Sequence, residues 1–128
     1  MSFYDEITQQ YKADLDTDTG IPKSERGILD SLIRSAKEAI VATVRLGESH
    51  VTFKYKVLKL IDYGNEELHA EAKVYYLLDD CMNNPNYIGA WELLVNSLGE
   101  EFDIEVSFVN GIATMCIQWE VSEAEVTV

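Results

Sequence analysis

Apolar residues recur along this chain with two periods, and the places where the period changes divide it into elements. Near the N-terminus Phe3, Ile7 and Tyr11 stand four apart, which puts them on one stripe of a short helix ending near residue 14. After an acidic interval, Leu29, Ile33, Ala36, Ile40 and Val44 repeat at helical spacing, with Ser24 as the expected N-cap and Gly47 as the expected stop. A third helix is predicted over about residues 85–98. Asn84-Pro85 supplies a cap followed by a proline at the first helical position, Ile88, Trp91, Val95 and Leu98 form the stripe, and Gly99 ends it.

Period two takes over in FDIEVSFVNGIATMCIQWE, residues 102–120. Asn110-Gly111 sits between two alternating runs, the signal for a two-residue hairpin with a type I′ turn. Val109 then faces Ile112. One face carries Phe102, Ile104, Val106, Phe108, Ala113, Met115, Ile117 and Trp119; the other carries Asp103, Glu105, Ser107, Thr114, Cys116, Gln118 and Glu120. Such alternation fits a sheet that is wet on one side and packed against helices on the other.

The middle segment, residues 50–80, admits two readings. As a helix, Ala70, Val74, Leu77, Leu78 and Cys81 are suitably spaced, and residues 66–73 have good helix propensity. As a hairpin turning at Gly64-Asn65, Val51, Phe53, Tyr55, Val57 and Ile61 face Leu78, Tyr76, Val74, Ala72 and Leu68. The hairpin is preferred because both arms alternate and the turn matches their apolar faces. The expected fold is therefore α+β: a single domain over 1–128, two N-terminal helices then ββαββ, an antiparallel sheet with helices packed on one face, and an acidic tail at 121–128.

Composition adds bounds. A chain of 128 residues, 47% apolar and 26% charged, can bury one core without metal or disulfide. Cys81 and Cys116 are too few for a thiolate zinc site or a disulfide scaffold. The N-terminus MSFYDEITQQ has acid where a signal peptide has base, so a cytoplasmic location is expected, and no run is long and apolar enough for a membrane span.

Charge is distributed unevenly. The formal net charge is −13, and all ten Lys and Arg lie between Lys12 and Lys73; residues 74–128 hold ten acids and no base, a net of −10. A one-sign field of this kind repels phosphates and attracts basic partners or cations. Direct nucleic acid binding is disfavoured.

The candidate chemistry is concentrated in DLDTDTGIPKSE, residues 14–25. Asp14, Asp16 and Asp18 occupy positions 1, 3 and 5 of a twelve-residue loop, Ile21 position 8 and Glu25 position 12, which resembles the EF-hand calcium loop over these residues alone. Thr19 stands where that loop needs glycine, Gly20 comes one place late, and Pro22 offers no side-chain oxygen at position 9. An acidic inter-helix turn is the reading carried forward, with calcium on Asp14, Asp16, Asp18 and Glu25 as the alternative metal site. No other cofactor is expected.

Other constellations are weaker. His69-Ala70-Glu71 lacks the P-C-x-x-C that follows H-x-E in zinc deaminases. In the hairpin register His50 lies across from Asp79, a pair that more often makes a surface contact than a metal site. Cys116 falls opposite Glu105, an unfavourable setting for a nucleophile. Neither a hydrolase elbow nor a glycine-rich phosphate loop is present, so catalysis is not favoured. The expected function is a non-catalytic acidic module docking on a basic protein partner through Asp79, Asp80, Asp103, Glu105 and Glu120. In size and charge the chain looks like the small acidic inhibitors that phages and mobile elements make against host nucleases and restriction or CRISPR systems, a likeness of type without a shared motif. The alternatives are a cation- or small-ligand-binding domain using the 14–25 loop or a cleft beside the sheet, and a cytosolic homo-oligomeric subunit kept soluble by its charge.

Overall fold

The structure is a computed structural model and describes residues 2, 3, 6, 14–57 and 66–120. Its elements run α1 (Lys23–Arg45), β1 (His50–Lys56), α2 (Glu66–Asn83), a 3₁₀ turn (Pro85–Tyr87), α3 (Ile88–Leu98), β2 (Asp103–Val109) and β3 (Ile112–Gln118). The strands form an antiparallel sheet in the order β1-β3-β2, with the helices on one face, which is the expected α+β class. Ile7, Tyr11, the predicted turn at Gly64-Asn65 and the tail 121–128 lie outside the described residues, while Phe3 is helical and exposed.

In α1 the buried residues are Leu29, Leu32, Ile33, Ala36, Ile40 and Thr43. Its N-cap is Pro22 rather than Ser24. Held at φ −55° and ψ 142°, Pro22 turns its carbonyl to accept from the Glu25 and Arg26 amides at 2.9 and 3.0 Å, so Ser24 falls inside the first turn. The far end closes as Gly47 requires: at φ 78° it lets the Gly47 amide reach the Val44 carbonyl at 2.9 Å and the Glu48 amide the Thr43 carbonyl at 3.2 Å, the paired bonds of a Schellman stop. Val44, expected inside, is exposed. Thr43 is buried in its place, its hydroxyl satisfied by donating to the Ala39 carbonyl at 2.7 Å.

The preferred hairpin over residues 50–80 is not formed, because residues 66–83 are the helix α2. Leu77 and Leu78 are adjacent and both buried. A strand with one wet face sends neighbouring side chains to opposite sides, whereas on a helix two neighbours fall on one broad face. Tyr76, which the hairpin would bury, is 54% exposed. With its expected partner helical, β1 pairs with β3 instead, setting Val51 beside Ile117, Phe53 beside Met115 and Tyr55 beside Ala113. After α1 the order is therefore βααββ, not ββαββ.

The C-terminal hairpin forms in the predicted register, with Val109 opposite Ile112 and Asn110 and Gly111 at φ 51° and 75°. Ala113, Met115 and Ile117 are fully buried under the helices, and Asp103, Glu105, Ser107, Gln118 and Glu120 are exposed. Between α2 and α3 the Asn84 side chain accepts from the Asn86 amide at 3.0 Å and starts the 3₁₀ turn. The buried side of α3 is Ala90 and Leu94, while Ile88 of the predicted stripe is exposed. Gly89 explains the rotation, since a Cβ there would stand 2.8 Å from the Thr19 carbonyl oxygen. The start of α3 is thus pressed backbone-to-backbone against the aspartate loop, and Ile21 from that loop is fully buried in the core with Leu29, Leu77, Leu94 and Met115.

Candidate functional site

The aspartate loop is built around Asp16. Leu15 bridges Pro22, the Asp16 amide donates to the Ile21 carbonyl at 2.7 Å, and the Gly20 amide returns to the Asp16 carbonyl at 2.8 Å. One carboxylate oxygen of Asp16 accepts from the Thr19 amide at 2.9 Å, the Thr19 hydroxyl at 2.7 Å and the Arg26 guanidinium at 2.8 Å. The Thr19 hydroxyl, together with Arg26, holds the Asp16 carboxyl below its ordinary range. Arg26 also reaches Asp18 at 3.3 Å and Asp30 at 2.9 Å, so a side-chain cation stands among the loop acids. The positive φ falls on Gly20 at 76°, one place after the position a calcium loop bends. Asp14 is exposed, and Glu25 turns away to accept a hydrogen bond from the Tyr87 hydroxyl. The four acids named by the sequence do not converge on one point, and among the described residues no group of three or more His, Cys, Asp or Glu is placed to hold a metal.

Glu25 belongs instead to a cluster that no local pattern of residues announces. The start of α1 brings it near the end of α2, where Asp80 and Cys81 lie, and Tyr87 joins them from the 3₁₀ turn. Partial burial, with the neighbouring charges of Glu25 and Asp79, raises the Asp80 carboxyl. Burial, with Asp80 and Glu25 beside it, pushes the Cys81 thiol up to about 12, which leaves it protonated and inert. Asp79 accepts from the Asn83 side-chain amide at 2.9 Å. Asp79 and Asp80 therefore sit in the helix layer and do not extend the wet face of the sheet, as the lost hairpin would have had them do. His50 is paired with Gln118, not with Asp79.

The wet face itself reads in rows across β1, β3 and β2: His50–Gln118–Asp103, Thr52–Cys116–Glu105, Lys54–Thr114–Ser107 and Lys56–Ile112–Val109. Charge is segregated along a diagonal. Lys54 and Lys56 of β1 occupy one corner, and Asp103 and Glu105 of β2 occupy the opposite one. Around the acidic corner, Glu100, Glu101, Asp103, Gln118, Trp119 and Glu120 line an open hollow of about 480 Å³. Trp119 is braced edge-on against Phe102, with ring centroids 5.6 Å apart. Among the described residues every ion pair involves Arg26, so none of these acids has one. Cys116 lies opposite Glu105 as predicted; on its other side stands Thr52, a neighbour that the hairpin reading did not give it, and the Cys116 sulfur accepts from the Thr52 hydroxyl at 3.8 Å.

A second concavity of about 730 Å³ runs between α1 and α2, where Ser24, Ser31 and Ser35 face Lys73, with Tyr55 at one side. Burial, and the Glu71 charge nearby, push the Tyr55 phenol up to about 12. The serines follow a helical stripe and could have been read from the sequence; Lys73 and Tyr55 could not, because their approach depends on α2 being a helix. Among the described residues no helix is long and apolar enough to cross a membrane. Compared with known family models, curated proteins and solved structures, the chain matches none.

Proposed function

We propose that this chain is a non-catalytic acidic binding module that docks on a basic protein surface through the corner formed by Asp103, Glu105 and Glu120, with Glu100 and Glu101 beside them. The observation that carries this reading is an exposed set of carboxylates, on β2 and beside it, with no cation ion-paired to them among the described residues. A protein keeps such a set at a cost in self-repulsion, and a basic partner removes that cost while gaining speed of encounter. A surface that normally holds nucleic acid has the matching charge, so the docking partner we favour is a nuclease or another nucleic-acid-binding protein, with this chain as its inhibitor or decoy, in the manner of phage proteins directed against restriction or CRISPR systems. Pull-down from cell lysate at low and high salt, read by mass spectrometry, should return a basic protein at low salt only. Recovery of a nucleic acid, or of a partner indifferent to salt, would refute the reading.

The groove between α1 and α2 favours a second reading, a small polar ligand held by serine hydroxyls and Lys73. Thermal-shift screening of small anions distinguishes it, because stabilisation abolished by Lys73→Ala would belong to the groove and not to the acidic corner.

A further inference from the structure

β2 is an edge strand whose neighbour is β3, and its register runs from Asp103 to Val109 without bulge or proline. The helices pack chiefly over β1 and β3. On the inner side of β2, Tyr75 meets Phe108 edge-on at 5.4 Å, and Ile104, Val106 and Phe108 remain half-buried. The hairpin fixes which backbone groups are free. In a two-residue I′ hairpin the residues flanking the turn bond to each other, so Val109, Ser107, Glu105 and Asp103 point their amides and carbonyls at β3. The bonds on the other side of β3 agree, since the Trp119 amide donates to the Ser49 carbonyl at 3.0 Å and the Val57 amide to the Gly111 carbonyl at 2.9 Å. Ile104, Val106 and Phe108 therefore direct their backbone groups outward, to an edge with no partner among the described residues.

We propose that this edge takes an extended segment of a basic partner as an added strand, pairing with the backbone of Ile104, Val106 and Phe108. Exposed edges of this kind are where strands are added. Charge selects the occupant: alternate side chains of the incoming segment would lie beside Asp103 and Glu105 and should be Lys or Arg. The others would turn inward beside Ile104, Val106 and Phe108 and should be apolar. The proposal rests on the acidic-docking reading and specifies how that docking is made.

The test titrates a synthetic peptide of alternating lysine and valine, as long as β2, into the isotope-labelled full chain and follows amide exchange residue by residue. The amides of Ile104, Val106 and Phe108 should gain protection by about tenfold or more, while those of Asp103, Glu105 and Ser107, already bonded to β3, change little. Asp103→Lys with Glu105→Lys should weaken the peptide by about tenfold or more; should that pair fail to fold, Asp103→Asn with Glu105→Gln should weaken it less but in the same direction. Salt-sensitive binding without the alternation in protection would overturn the added strand and leave acidic docking standing. Failure of the peptide to bind would overturn the added strand as well, with the docking reading then judged by the lysate experiment. Protection of the three amides that grows with protein concentration in the absence of peptide would assign the edge to a second copy of the chain, and overturn the proposal.

Discussion

Gly89 and Gly27 are both glycines in helices, and their surroundings separate them. A Cβ at Gly89 meets the Thr19 carbonyl oxygen, whereas one at Gly27 meets nothing within 4 Å. Gly89→Ala should therefore destabilise the protein by about 1–3 kcal/mol through overpacking against backbone, and Gly27→Ala should stabilise it by about 0.5–1 kcal/mol through helix propensity. Urea unfolding midpoints check both, and equal signs would contradict the packing of α3 on the loop. Asp16 and Asp80 differ in the same way under titration. The folded pKa of Asp16 is lowered from 3.8, so its stabilisation is complete above that value and is lost as pH falls through the lower folded one. Asp80 is raised from 3.8; the folded state then holds the extra proton, and stability declines as pH rises from 3.8 through the raised value. Thermal unfolding against pH should show Asp80→Asn stabilising at neutral pH and Asp16→Asn destabilising there; the reverse order would mean that the two environments have been misassigned.

Among the elements, α2 carries the sharpest test, because the helix and strand readings exchange the fates of two neighbouring residues. Leu77→Ala should cost about 2–5 kcal/mol, as for a fully buried leucine, and Tyr76→Ala, on the exposed side, well under half of that. A strand with Tyr76 inside would give the opposite ranking. The hairpin makes a second one. At φ 75° Gly111 occupies a conformation that a β-branched residue resists, so Gly111→Val should cost about 1 kcal/mol or more, while Glu105→Gln on the wet face should be close to neutral. The hairpin was legible in the sequence because its turn and its alternation are both local. The fate of residues 66–83 was not: their alternation on paper matched a strand, and the consecutive burial of Leu77 and Leu78 that selects the helix appears only when a sheet already lies beneath them.

For the whole molecule, a net charge of −13 with ion pairs drawn only to Arg26 among the described residues makes self-repulsion the dominant long-range electrostatic effect. Thermal stability should rise as salt is raised to about 0.15 M, where exposed charges beyond about 8 Å are screened. A fall over that range would mean that the Arg26 network outweighs the repulsion. Association with a basic partner should respond oppositely, slowing with salt and with Asp103→Lys and Glu105→Lys, whose side chains are remote from the core.

Features that depend on near neighbours could be read from the residues alone: the α1 stop at Gly47, the cap at Asn84, the I′ turn at Asn110-Gly111 with the two faces of its strands, and the confinement of every base to the chain up to Lys73. Each follows from backbone preferences or side-chain periods that act within one or two turns of chain. Features that depend on contacts between distant segments came from the folded arrangement. It made β1 the partner of β3, placed Lys54 and Lys56 on the corner opposite Asp103 and Glu105, and set Asp79 and Asp80 on a helix. The aspartate loop divided along the same line. Its carboxylates were visible in the sequence, but the Arg26 guanidinium reaches Asp16 because the loop folds back on the first turn of α1, the Tyr87 hydroxyl reaches Glu25 across a separation of 62 residues, and it is these partners that set the surroundings of each charge.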